Sequence, residues 1–152
     1  MTLLVSGPDE VRALVGRELE PTEWLEVTQA RVDAFAACTG DHQWIHTDPE
    51  RAAAGPFGGT IAHGFLTLSL VVPLWEQAAR VEGFRLAVNY GLNRVRFPAP
   101  VPVGSRIRGR FEVLEVSELD GGGQQSVTRA TIEREGSEKP VCVAELVLRF
   151  LV

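Results

Sequence analysis

The strongest constraint on fold is a change of hydropathy period near Gly83. From about Ala62 to Val81 the pattern is helical, and its first half is apolar nearly all round (Phe65, Leu66, Leu68, Leu70, Val71, Val72). Such a helix is buried on most sides. At 1.5 Å per residue it would be roughly 30 Å long, with a kink expected at Pro73, which has no N–H to donate. Beyond Gly83 the apolar residues alternate, and Leu86 to Phe97, Arg106 to Glu118, Gln125 to Glu135 and Pro140 to Val152 read as strands. Gly121-Gly122-Gly123 and Gly136-Ser137 are the hairpin turns between them. An antiparallel sheet with one apolar face and a helix apolar on most sides cover each other, which predicts an α+β domain whose sheet wraps one long central helix. A chain of 152 residues is long enough for that core and defines one domain, 1–152.

Upstream the signals are local. Asp9 to Leu14 reads as a short helix and Gly16 to Val27 as extended chain. Thr28 can cap a helix running to about Thr39, with Val32, Phe35 and Ala36 on one face and Gly40 as its stop. Asp48-Pro49 supplies a cap and a first-turn proline for a short helix over Glu50 to Ala54, and Gly55-Pro56-Phe57-Gly58-Gly59 breaks it. A net charge of −5 argues against a nucleic-acid or anionic-membrane partner. The most apolar stretch, Ile61 to Trp75, is too short to insert in a bilayer. With no basic start followed by an apolar run, a cytoplasmic protein is expected. Cys38 and Cys142 read as small buried apolar residues rather than a disulfide.

Chemistry concentrates in Thr39 to Pro49, which holds Asp41, His42, Trp44, His46 and Asp48, and in His63-Gly64, which begins fifteen residues after Asp48. Asp41 and His46 are five apart and would diverge on a helix, so they can meet only across a bend. His42 and His46 have the spacing of a helical zinc pair, and Asp41 or His63 could extend it. Gln43 stands where a metalloprotease needs glutamate, however, and Gly40 and Asp48-Pro49 argue against a helix there. The glycine-rich Gly55 to Thr60 lacks the Lys-Ser/Thr of a phosphate loop, and Ser69 is in no GxSxG elbow. What remains is an acid, a histidine and a helix N-terminus. Asp41 and His46 can hold a water and exchange protons with it. The Gly64 N–H can polarise a carbonyl that comes close because glycine has no side chain. Read singly, Asp41 is a turn former, His63 a brace for the loop, Asp48 a helix cap and Trp44 a packing residue.

Phe35 to Ala52, Ile61-Ala62-His63-Gly64-Phe65-Leu66-Thr67, and Val95 to Gly104 together resemble the MaoC-like (R)-specific enoyl-CoA hydratases. The resemblance implies the hot-dog fold, catalytic roles for Asp41 and His46, and an oxyanion role for the Gly64 N–H. His63, Trp44 and Asn93 become candidate substrate contacts. The family's usual Asp-x-Asn-Pro-Leu/Ile-His carries Asn-Pro where this chain has Gln43-Trp44, a variant that resembles the NodN-like branch. The implied reaction interconverts trans-2-enoyl and (R)-3-hydroxyacyl thioesters. It needs no metal or other cofactor, coenzyme A entering as part of the substrate, and a homodimer is expected. Arg94, Arg96 and Arg106 are candidates for the coenzyme A phosphates. The rivals are a hot-dog thioesterase and a non-catalytic subunit of a heterodimeric dehydratase; the Asp41/His46 pair speaks against both.

Overall fold

In the computed structural model, which describes residues 1–152, the elements follow as β1 (Leu3–Ser6), α1 (Gly7–Arg12), β2 (Leu25–Glu26), α2 (Gln29–Thr39), α3 (Trp44–Thr47), α4 (Pro49–Ala53), α5 (Gly64–Ser69), α6 (Val71–Ala78), β3 (Ala79–Glu82), β4 (Leu86–Arg96), β5 (Arg106–Glu118), β6 (Gln124–Arg134) and β7 (Cys142–Leu151). Five strands form an antiparallel sheet in the order β2-β5-β6-β7-β4. The four long ones are those that the alternation predicts, within three residues at each end. The segment from Gly16 to Val27 runs extended along β5, touching it at the Glu18–Glu112 bridge and through β2.

The central helix is shorter than the pattern suggests and is interrupted. Pro73 cannot donate to the Ser69 carbonyl, and the regular ladder breaks at Leu70 before Leu74 N–H resumes it on the Leu70 carbonyl at 3.2 Å. The helix also stops at Ala78 instead of Val81. Ala79–Glu82 leaves it to pair in parallel with Leu3–Ser6, a partner far away in sequence that no local pattern reveals. The two pieces together span roughly 22 Å at 1.5 Å per residue.

Leu66, Leu70, Val71, Leu74 and Ala78 form the buried stripe of this helix, and the sheet answers with Ile107, Phe111, Ala130, Ile132, Ala144 and Phe150. Truncating a fully buried leucine such as Leu74 to alanine costs about 2–5 kcal/mol in cores of this kind. Gly109 is the close approach on the sheet: a Cβ there would lie 2.6 Å from the Phe111 ring, so glycine makes room for Phe111 to reach the helix and meet Trp75 edge-on at 5.3 Å. Cys142 is buried in this layer, and burial pushes its thiol up to about 11. Cys38 corrects the expectation made for it: it is exposed on α2. No helix is long and apolar enough to cross a membrane.

Candidate active site

The motif segment is held between two helix ends. Thr28 caps α2 by accepting from the Arg31 N–H at 3.2 Å, and Gly40 ends it in the left-handed region at φ 81°. There the Cβ-free residue turns the chain sharply. Asp41 follows at the surface, with its Oδ1 accepting a long 3.4 Å bond from the Gln43 N–H. The expectation of a non-helical segment then needs correcting. Trp44–Thr47 is one turn of helix, and the Thr47 hydroxyl closes it back onto the His42 and Gln43 carbonyls at 3.1 and 3.3 Å. His42 lies before that turn and is exposed, so the i,i+4 pair with His46 does not form on one helix face. Asp48 caps α4 through its Oδ1 on the Arg51 N–H at 3.0 Å.

The bend brings His46 inward, where it is 6% exposed. Its Nδ1 is 2.6 Å from the Ile61 carbonyl. A carbonyl can only accept, so Nδ1 carries the proton and Nε2 keeps a lone pair or a transferable proton. His63, 3% exposed, applies the same logic with the other nitrogen: Nε2 donates to the Asp41 backbone carbonyl at 2.9 Å, and Nδ1 is buried without a partner. The two imidazoles stack with centroids 3.8 Å apart and planes 23° from parallel, while Phe35 covers His63 at 4.9 Å. His63 therefore fixes both the loop that carries Asp41 and the ring of His46.

One carboxylate oxygen of Asp41 and one ring nitrogen each of His46 and His63 lie within 4.8 Å of one another. A water bonded to two groups at about 2.8 Å each, at a tetrahedral angle, bridges roughly 4.6 Å. The same three residues suit a metal poorly, because the in-plane lone pairs of stacked rings run side by side and do not converge on one ion.

Two supports are invisible to motif reading. Gln29, in the first turn of α2, donates to the His46 carbonyl at 2.7 Å and accepts from the Thr60 hydroxyl at 2.6 Å. It thereby ties the acid–histidine turn to the strand-like segment before His63. That segment is pinned on both sides, by Ile61 N–H on the Ile45 carbonyl and Ala62 N–H on the Val101 carbonyl. It ends at Gly64, which opens α5 and whose N–H has no backbone acceptor. Phe97 packs over Gly64 so closely that a Cβ would lie 3.1 Å from its ring.

A cleft of about 380 Å³ opens here, lined by His46, Phe57, Gly64, Thr67, Phe97 and Val141 among others. Asp41 stands at the surface beside His46. Trp44 is half-buried, packed on Gly55 with the Arg51 guanidinium 4.4 Å above its ring. Asn93 sits at a bulge of the exposed strand β4, away from this cleft.

Residues 10–136 match the MaoC like domain. The chain belongs to the MaoC-like dehydratase family. Among its relatives is the 3-hydroxyacyl-thioester dehydratase Z of Mycobacterium tuberculosis, 54% identical over 142 residues that cover 93% of this chain and 94% of that protein. Nodulation protein N of Rhizobium leguminosarum bv. viciae is 46% identical, covering 89% and 85% of the two chains. Among solved structures, the (R)-hydratase from A. caviae involved in PHA biosynthesis superposes with a TM-score of 0.72 at 27% identity, covering 91% of this chain and 96% of that one. The helix wrapped by its curled antiparallel sheet is thus the hot-dog fold of MaoC-like dehydratases. The likeness to Nodulation protein N agrees with the branch that Gln43-Trp44 suggests.

Proposed function

We propose that this member of the dehydratase family interconverts trans-2-enoyl thioesters and (R)-3-hydroxyacyl thioesters, with coenzyme A as the expected carrier. The observation that carries the reading is the His46 tautomer. With Nδ1–H held by the Ile61 carbonyl, Nε2 is the nitrogen left for proton exchange, and the ring and an Asp41 carboxylate oxygen come within 4.8 Å of each other, about the span of one bridging water.

In hydration, the thioester carbonyl accepts from the Gly64 N–H, which stabilises the negative charge gathering on its oxygen as C3 is attacked. The water between Asp41 and His46 bonds through its oxygen to C3 and gives one proton to the pair; the pair then returns a proton to C2. The sum is one water added, and dehydration is the reverse. The related (R)-hydratase and 3-hydroxyacyl-thioester dehydratase support the (R) product and the thioester class. No step calls for a metal. A thioesterase would direct its water at the carbonyl carbon, and an inactive subunit would have no need of the Asp41/His46 pair.

The strand β4 supports the homodimer. It is an edge strand exposed along almost its whole length, with Leu86, Val88, Tyr90 and Leu92 uncovered, and Phe65 and Val72 of the helix are exposed as well. A second copy pairing along this edge would cover them, as unprotected edges demand. Two free cysteines fit a cytoplasmic setting.

The test is hydration of crotonyl-CoA, followed as loss of the conjugated thioester's ultraviolet band, with chiral analysis of the product and a chelator-treated control. The proposal expects (R)-3-hydroxybutyryl-CoA at a rate unchanged by the chelator. Hydrolysis to free coenzyme A without hydration would establish the thioesterase, and activity restored only by zinc would establish a metal site.

A further inference from the structure

Beside the cleft, on the outer face of the sheet, lies a groove of about 350 Å³ lined by Arg94, Arg96, Pro98, Arg129, Val143 and Glu145 among others. Three arginines and one glutamate line it, in a chain whose net charge is −5, and Glu112 holds one of the three, Arg129. The arrangement follows from register. Val95 turns into the core, so Arg94 and Arg96 on either side of it both face out, about 7 Å apart along β4. Glu145 sits opposite both Arg94 on β4 and Arg129 on β6.

Four of the eight arginines on the strands of this sheet are already held in ion pairs. Arg106 is held by Glu135, Arg108 and Arg110 by Glu133, and Arg129 by Glu112. Arg94 and Arg96 form no ion pair; Arg96 donates only to the neighbouring Val95 carbonyl, at 2.7 Å. The groove borders the site: Pro98 lines both the groove and the cleft that holds His46 and Gly64. From Pro98 back to Arg94 is four residues of extended chain, roughly 13 Å. An extended pantetheine arm covers that run.

We propose that Arg94 and Arg96, with Arg129 on the far wall, form the subsite for the phosphate-bearing end of the substrate's pantetheine carrier. The proposal rests on the thioester reading above and extends it. Guanidinium forks bind phosphate oxygens in pairs, and two of them on one strand face match adjacent phosphates. Arg106 is not among the residues that line this groove, and its Nε and Nη2 are held by Glu135. The phosphate next to pantetheine is common to coenzyme A and to a carrier protein's prosthetic arm; only coenzyme A adds the rest of the diphosphate and the ribose phosphate.

The experiment compares wild type, Arg94→Ala, Arg96→Ala, the double variant and the charge-preserving Arg94→Lys/Arg96→Lys. The substrates are crotonyl-CoA, crotonyl-phosphopantetheine and crotonyl-pantetheine, which has no phosphate, and calorimetry with free coenzyme A reads the subsite without turnover. The double alanine variant should raise KM for crotonyl-CoA on the order of 10- to 100-fold, the loss expected for two charge-assisted contacts. Its kcat, its melting temperature and its KM for crotonyl-pantetheine should stay as in wild type, and the lysine pair should recover part of the loss. An equal rise with crotonyl-phosphopantetheine places the shared phosphate on these arginines; a rise with crotonyl-CoA alone places the further phosphates there. An unchanged KM for crotonyl-CoA, or an equal change with crotonyl-pantetheine, overturns the subsite. A wild type that binds coenzyme A through these arginines yet hydrates no crotonyl thioester would instead overturn the reaction and leave the subsite standing.

Discussion

Gly64→Ala should separate stability from activity. Gly64 is not in the positive-φ region, so alanine fits the backbone. At a helix start, the glycine-to-alanine change alone is worth up to about 0.5–1 kcal/mol in favour of the fold. Against this, the new Cβ would sit 3.1 to 3.3 Å from three atoms of the Phe97 ring. That ring is 39% exposed and can yield by a few tenths of an ångström. The two effects nearly cancel, and about 1 kcal/mol moves Tm by roughly 2–4 °C in a chain of this size, so the melting temperature should stay within about 4 °C of wild type. Turnover should not survive in the same way. The methyl and the Phe97 ring it displaces should crowd the approach to the Gly64 N–H, and losing one such donor costs about 10²–10³ in kcat. Crotonyl-CoA hydration and a thermal melt on one preparation read both quantities. A well-folded Gly64→Ala variant with wild-type kcat would show that no carbonyl docks on that N–H.

His63 acts through its neighbours, and two replacements distinguish what it does. His63→Phe keeps a flat ring between Phe35 and His46 but loses the bond to the Asp41 carbonyl, whereas His63→Gln keeps a donor and loses the stacked ring. If fixing the Asp41 loop is what matters, Gln should retain more kcat than Phe, with KM little changed in both; the opposite order would assign His63 to packing alone. Glu133 gives a pH signature. Burial raises its carboxyl, but hydrogen bonds from Arg108 and Arg110 outweigh burial and leave it below the usual value of 4.5. A depressed carboxylate stabilises the fold above its unfolded value, and that contribution is lost as pH falls through the folded one. Glu133→Gln should therefore cost about 1 kcal/mol at pH 7, and the difference should vanish in melts taken well below pH 4.5. A gap that persists into acid would refute the ion-pair account.

Local signals and distant ones separate cleanly in this chain. Thr28, Gly40 and Asp48-Pro49 mark helix ends through bonds made within four residues, and the alternation of β5 records a face that is apolar wherever it meets the helix. The end of the central helix was not legible, because Ala79–Glu82 leaves it for a strand at the other end of the chain. Nor was the turn at Trp44–Thr47, which at four residues is too short for a helical period to show. Cys38 lies off the buried stripe of its own helix, which composition does not reveal: at 100° per residue it is about 120° from Val32, away from the face that Val32 and Ala36 define. In the site, Asp41, His46 and Gly64 stand out in sequence as candidates, and the structure gathers Asp41 to His46 and sets His46 and Gly64 in one cleft. Gln29 and Thr60 were not, since their roles come from contacts 17 and 31 residues away.

The central claim is that Asp41 and His46 act on one water. It is tested most directly by the kcat of Asp41→Asn, His46→Gln and the double variant on crotonyl-CoA. Asp41→Asn keeps the shape and the Gln43 contact but cannot take a proton, so a folded protein should lose about 10²–10⁴ in kcat. His46→Gln should lose a similar amount, and because both serve the same water, the double variant should be little worse than either single one. Near-normal turnover by a well-folded Asp41→Asn variant, or losses that multiply in the double variant, would contradict the account.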